Sequence, residues 1–288
     1  MARTAREIAD SFRIRGSATI EICASPPGLT DKQQQTLSEL EERFNGVGKP
    51  LTDTQLLNRL ELIKKRDFDE LPEGAKTHCK KWLKEFLYNR REDLKNKYVE
   101  KGNESEEDGF TLMAVQLKLG MVYKNSERKK NDFAVGECDL NHEGVVYDDK
   151  NSWSLDTFPM FETEIPDIKY WWQLQNYSTL WSVKKLCLCY TLISSTYEAV
   201  EKCIKWADTP NDKYRIAERM IFTQKEFDLV KDHFFADADL DTFTEIPEEK
   251  RIKAFYFDAD EKAQKLIEKR SYMCREYIYE LLVNNKFI

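Results

Sequence analysis

The sequence predicts a mixed α/β (α+β) fold, a small mixed central sheet flanked by many helices and preceded by a helical N-terminal region. Three observations predict it. Leu recurs at helical spacing through the first hundred residues, between Thr and Asp caps. The middle of the chain holds short runs of strand composition, "DFAVGECDL", "GVVYDDK" and "LCLCYTLIS". Helical periodicity then returns around the last of these and continues to the end. With 288 residues, 41% hydrophobic and 12% aromatic, the chain can bury a sizeable core in one or two domains.

Taken in order, "MARTAREIADSFRIRGSATIE" is basic but has no apolar segment, so it reads as no secretory signal. "DKQQQTLSELEERF" and "TDTQLLNRLELIKKR" each follow or contain a good N-cap and read as helices. A longer helical stretch covers about 73–99. Residues 101–109, "KGNESEEDG", read either as a loop or as the acidic first turn of a helix. "FTLMAVQLKLG" continues helically to Gly120 as its stop. "NHEG" has turn chemistry between two strands. "IKYWWQLQNYSTLWSVKK" is amphipathic and helical, "LCLCYTLIS" is a buried strand and "TYEAVEKCIKWAD" is helical again. From about 224 the chain reads as helical, interrupted near "DADLDTFTEIP". No repeat or low-complexity linker stands out, so the reading is one domain in three parts: a mainly helical 1–100, a core at 101–210 and a helical 211–288.

The charge balance narrows the function. A net charge of −7 weighs against a protein held to nucleic acid by bulk electrostatics. It leaves room for a local basic groove, with basic runs at 80–81, 90–91, 128–130 and 184–185. The longest apolar run, "LCLCYTLI", is too short to span a bilayer, so a cytoplasmic protein without a membrane partner is expected. Seven cysteines, an odd number without cluster spacing, read as reduced, inert thiols. His78, His142 and His233 are not spaced as a zinc set. No nucleophile-elbow or P-loop motif is present. "DADLDTFTEIPE" places acids at EF-hand positions, but Thr242 stands where the sharp turn needs Gly, so it reads as an acidic connection.

The stretch "VGECDLNHEGVVYDDKNSW" carries the chemistry. Acid-x-Lys triplets recur along the chain, but Asp148/Lys150 closes a strand, where residues two apart share a face. A turn centred on His142 and Glu143 sets Asp139 opposite Val146. Asp139 then joins Asp148 and Lys150 on one face, an arrangement that a one-residue slip of register destroys. The alternative is a solvated strand face with a salt-bridged lysine. Paired carboxylates suit Mg²⁺ or Mn²⁺. A lysine beside them positions or deprotonates a water, or neutralises the charge that develops on phosphate.

In combination these residues resemble the PD-(D/E)XK nucleases. "G-x-x-D" at Gly136–Asp139 followed by "D-x-K" at Asp148–Lys150 looks like the nuclease core, with Cys138 in place of the Pro. "QLQNY", Gln173 to Tyr177, resembles the Q-x-x-x-Y helix of the RecB-like and YqaJ-like (lambda-type) phage exonucleases. "KGNESEE" resembles their upstream G-x-x-x-E element, which points to Glu106, with Glu104 and Glu107 as alternatives. "RIRGSATIEICAS" resembles their Arg/Ser-rich opening.

The resemblance implies a sheet of the restriction-endonuclease-like type. It implies that Glu106, Asp139 and Asp148 hold Mg²⁺ or Mn²⁺, with the Asp149 carbonyl as an extra ligand, and that Lys150 serves the attacking water. Gln173 and Tyr177 would shape the site and touch the DNA backbone, with Arg15 and Ser17 as further phosphate contacts. The activity implied is a metal-dependent DNA exonuclease of a phage recombination module. It would degrade duplex ends 5′ to 3′, as a trimer, in the bacterial cytoplasm beside a single-strand annealing protein. The alternatives are a RecB-like or restriction-type endonuclease, and a non-catalytic nuclease-fold DNA-binding protein.

Overall fold

The computed structural model describes residues 3–24, 28–67, 70–90, 105–234 and 243–287. It forms two compact units, one drawn from residues 1–12, 21–88 and 269–288 and the other from 13–20 and 89–268. These units cut across the three consecutive parts read from the sequence, because the C-terminal helix returns to the N-terminal elements.

In the first unit, α1 (Ala5–Asp10) opens on a reciprocal capping box between Thr4 and Glu7. The chain then contributes β1 (Ile14–Arg15) to the second unit and turns into α2 (Thr19–Cys23). α3 (Asp31–Phe44) is capped by Thr30 and Gln33, and α4 (Asp53–Asp67) by Thr52 and Gln55. Leu37, Leu40 and Leu62 close the pair. α5 (Glu73–Tyr88) buries Cys79 and Leu83. The expected continuation of this helix to 99 falls mostly on residues outside those described. Cys23, Cys79 and Cys274 are fully buried here, and all seven cysteines are unbridged.

The second unit holds two small sheets. After α6 (Glu106–Gln116) come β2 (Lys129–Lys130), β3 (Ala134–Gly136), β4 (Leu140–His142) and β5 (Val145–Asn151). Then follow α7 (Ile168–Trp181), β6 (Lys185–Thr191), α8 (Tyr197–Ile204), α9 (Pro210–Glu218), α10 (Gln224–Phe234), β7 (Ile252–Asp258) and α11 (Glu261–Asn284). One sheet has the order β1-β3-β2 and the other β4-β5-β6-β7. In the larger sheet β5 and β6 run parallel through the α7 crossover, and the outer strands are antiparallel. Among the described residues, no helix is long and apolar enough to cross a membrane.

β6 is covered on both faces, which explains why its sequence lacks polar alternation. Leu186, Leu188 and Tyr190 pack with Val146, Leu174 and Tyr177 on the α7 side. Cys187 and Cys189 pack with Tyr147, Leu140 and Met113 on the α6 side. The two faces of β5 are divided the same way.

Four expectations change. "DFAVGECDL" is not one strand: the chain leaves the small sheet after Gly136 and enters the large one at Leu140. The hairpin turn is centred on Glu143 and Gly144, both at positive φ (47° and 78°), because the tight two-residue turn needs left-handed residues and Gly144 supplies one freely. α6 ends at Gln116 rather than reaching Gly120. Leu119 N bonds to Ala114 O at 3.0 Å while Lys118 takes φ 56°, so a lysine fills the left-handed position of a Schellman-type stop. Residues 252–258, expected within a helical tail, form edge strand β7 paired along its length with β6. The acidic connection read before it lies partly outside the described residues.

Candidate active site

β5 delivers the acid-x-Lys pair. Asp148 and Lys150 share one face, and Lys150 Nζ lies 2.5 Å from Asp148 Oδ2. Asp148 is 2% exposed. Leu140 pairs with Tyr147 and Asn141 with Val146, so the register runs on to set Asp139 opposite Asp148. Moving the turn by one residue shifts each partner by two, which preserves the face. The grouping expected from parity therefore survives although the turn assumed for it was wrong. β4 stops at Leu140, leaving the Asp149 amide of β5 without a strand partner. Asp139 Oδ2 accepts that N–H at 2.7 Å, fixing its carboxylate beside Asp148.

Burial pushes the Asp148 carboxyl up, and the Asp139 charge adds to it; Lys150 offsets part of this, leaving the pKa at about 6. Burial would lower Lys150, but the charges of Asp148 and Asp139 outweigh it and hold the ammonium above the usual lysine value. Lys150 is thus a fixed cation at neutral pH rather than a ready base. It also lies 5.3 Å from the Tyr170 ring.

α7 supplies the next layer. Gln173 and Tyr177 are one turn apart on the same helix face. Gln173 Nε2 donates to Asp148 Oδ1 at 3.3 Å and to Tyr177 Oη at 2.8 Å. Tyr177 is buried, with its ring wedged against Gly16 and Gly136: a Cβ on either glycine would sit 2.5 Å from Tyr177 Cε1. The glycine of the G-x-x-D pattern is therefore a packing requirement. Arg15 and exposed Ser17 flank Gly16, so the segment read as a phosphate contact borders Tyr177.

The opposite face of β5 holds a second network. Burial, with the Asp139 charge, pushes the Asp149 carboxyl up to about 7. Thr191 Oγ1 lies 3.0 Å from each Asp149 oxygen and 2.6 Å from Asn151 Oδ1. Asn151 Nδ2 donates to Ser105 O at 3.0 Å, tying the start of α6 to the strand. Gly109 permits the approach, since a Cβ there would meet Asp149 Oδ2 at 2.5 Å.

One expected ligand, Glu106, is placed differently from the rest. The Asp149 side chain turns to the α6 face, away from Asp148, but the ligand expected of Asp149 is its backbone carbonyl. Glu106 begins α6 and its carboxylate is ion-paired with Lys124. Among the described residues, no three His, Cys, Asp or Glu side chains gather as a metal set. The structure thus groups Asp139 with Asp148, and not Glu106 with them, because the Glu106 carboxylate is taken up by Lys124. The alternative Glu104 lies outside the described residues. Lys124, whose charge also favours ionised Asp148, had no signal in its local sequence. Thr191 and Asn151 were likewise missed, since their roles depend on strand pairing.

No protein-family model and no curated protein sequence matches the chain. Solved structures do. Over 98% of its length the chain is similar to a phage related exonuclease from Haemophilus somnus 129PT, covering 99% of that chain, with TM-score 0.65 and 21% identity. It is similar, also over 98%, to an alkaline exonuclease from Laribacter hongkongensis, covering 96% of that chain, with TM-score 0.52 and 9% identity. The same exonuclease in complex with dAMP gives TM-score 0.50 and 9% identity. The chain has the fold of these phage-related and alkaline exonucleases.

Proposed function

We propose that the protein is a divalent-metal-dependent deoxyribonuclease acting as an exonuclease on duplex DNA ends. The observation that carries this reading is the grouping of Asp148 and Lys150 at the end of β5 with Asp139, which precedes β4, backed by Gln173 and Tyr177, on an exonuclease fold. The donor set fits a hard cation. Asp139 and Asp148 offer carboxylate oxygens, and the raised pKa of Asp148 reports negative charge that burial leaves incompletely balanced. Mg²⁺ takes one or two carboxylates and keeps several waters, so two aspartates suffice. The Asp149 carbonyl would be a further donor, and Glu106, ion-paired with Lys124 in this structure, would be a third carboxylate only once released from that pair. Bound Mg²⁺ or Mn²⁺ supplies an activated water and an electrophile for the phosphoryl oxygen.

The chain's own groups do the rest. Gln173 holds Asp148 Oδ1 and is itself oriented by Tyr177. Lys150 keeps its proton and faces the phosphate as a cation, countering the charge that builds on it. Arg15 and Ser17 contact the DNA backbone beside Tyr177. Polarity from 5′ to 3′, a trimeric assembly and a single-strand annealing partner extend the same reading.

The test uses purified protein with linear duplex, closed circular DNA and RNA, each with Mg²⁺, Mn²⁺ or EDTA. Ion-dependent loss of the linear duplex alone is expected, labelled separately at its two termini to read polarity. Cutting of the circle would move the reading to an endonuclease, and intact substrates throughout would leave a non-catalytic DNA-binding protein. Mn²⁺ binding followed by calorimetry should weaken at least about ten-fold in Asp139→Asn.

A further inference from the structure

The loop between α6 and β2 carries an exposed feature that folding does not require. Its side chains alternate: Val122 packs inward on the α6-side core and Lys124 reaches Glu106, while Met121 and Tyr123 face outward at 88% and 79% exposure. Tyr123 Oη lies 3.5 Å from Met121 Sδ, so the two form one apolar surface. The loop is also pinned to the site. Asn125 N donates to Asp139 O at 2.8 Å, and Asn125 Nδ2 donates to Cys138 O at 2.9 Å and Glu127 O at 3.0 Å. Glu127 N returns a bond to Asn125 Oδ1 at 3.1 Å. An exposed tyrosine is thereby held two residues from a backbone clamp on Asp139. The same loop and the first residues of β2 carry exposed Lys118, Arg128 and Lys130 against a single exposed acid, Glu127, a locally basic segment in a chain of net charge −7.

We infer that Met121 and Tyr123 form a stacking platform for unpaired bases of a DNA strand whose backbone runs to Asp139 and Asp148. Aromatic faces flanked by cations are what single-stranded nucleic acid recognises: stacking takes any base, and the cations track phosphates. The partner follows from charge complementarity, since a polyanion is drawn to this basic loop and repelled by most of the acidic surface. This inference rests on the nuclease reading for its direction, but its test does not.

Binding is measured by fluorescence anisotropy in EDTA, with a labelled oligothymidylate and an abasic strand of equal length. Tyr123→Ala should weaken oligothymidylate binding at least about five-fold, with Tyr123→Phe within about two-fold of the parent. The abasic strand should bind the parent and Tyr123→Ala equally. Both side chains are exposed, so the melting temperature should not move. The platform is overturned if Tyr123→Ala binds oligothymidylate as the parent does, if it loses the abasic strand equally, or if the parent binds no single strand. Parent protein that binds as expected yet degrades no DNA would remove the nuclease reading and leave the platform standing.

Discussion

Gly136 and Tyr177 meet at a distance that excludes any side chain on the glycine: an added Cβ would lie 2.5 Å from Tyr177 Cε1. Gly16, just past the end of β1, presses on the same ring carbon, where an added Cβ would also lie at 2.5 Å. Tyr177 is therefore slotted between two backbones, and its hydroxyl positions Gln173 on Asp148. A packing contact three residues before Asp139 governs the orientation of the acid at 148.

Gly136→Ala and Gly16→Ala should each destabilise the protein by about 1–3 kcal/mol, the usual range for overpacking. Urea denaturation reads this. Gly136→Ala should also slow DNA degradation, because displacing the Tyr177 ring withdraws Gln173. Tyr177→Phe keeps the ring and should leave stability within about 1.5 kcal/mol while still lowering activity. Equal activity in Tyr177→Phe and the parent would show that the hydroxyl orients nothing.

Lys150→Met should reduce DNA degradation by about 10²-fold or more, the scale of losing one preorganised group at developing charge. It should also cost about 3 kcal/mol of stability in metal-free protein, since Asp148 is left buried without its cation. Asp148→Asn in the same chain should restore most of that stability and none of the activity. Chemical denaturation of the single and double variants separates the two effects.

Asp149 gives a pH signature. Its folded pKa is raised from 3.8 to about 7, so its protonated form is the one the fold favours. The stability this contributes is present below about 4 and is lost as pH rises through about 7. Asp149→Asn mimics the protonated carboxyl and can still accept from Thr191. In metal-free protein it should raise the melting temperature more at pH 8 than at pH 5, and least below pH 4. A stabilisation equal at both pH values would contradict a carboxyl raised by burial and by the Asp139 charge.

Asn151→Ala removes the donor that holds Ser105 O and so frees the start of α6, which carries Glu106. Amide hydrogen exchange over 106–110 should accelerate by about ten-fold, a loss of about 1.4 kcal/mol of local stability. Exchange in β6 should change little. Unchanged protection at 106–110 would mean that helix packing alone secures the α6 start.

Much of the candidate site was legible because it depends on periodicity. Asp148 and Lys150 share a face by the two-residue period of a strand, and Gln173 and Tyr177 share one by the turn of a helix. Even the misplaced turn did no harm to Asp139, because sliding a hairpin turn by one residue moves every partner by two. β7 was not legible. Its run "IKAFYFD" is short and sits between an acidic connection and a long helix, and only pairing with β6 makes it a strand. The end of α6 was misread because Lys118 adopts a conformation usually reserved for glycine.

By itself, then, the sequence determined the α/β class, the helices with their caps, the central buried strand and the common face of Asp148 and Lys150. These are local matters, set by propensity and by the repeat of the backbone. Only the tertiary structure decided that Asp139 closes the open amide of Asp149, that Gly16 and Gly136 grip Tyr177, and that Thr191 and Asn151 anchor α6. It also decided that Glu106 faces Lys124 rather than Asp148. Each of these joins residues far apart in the chain across a sheet that has two faces, and which face a distant element covers is set by how the layers pack, not by any spacing along the sequence.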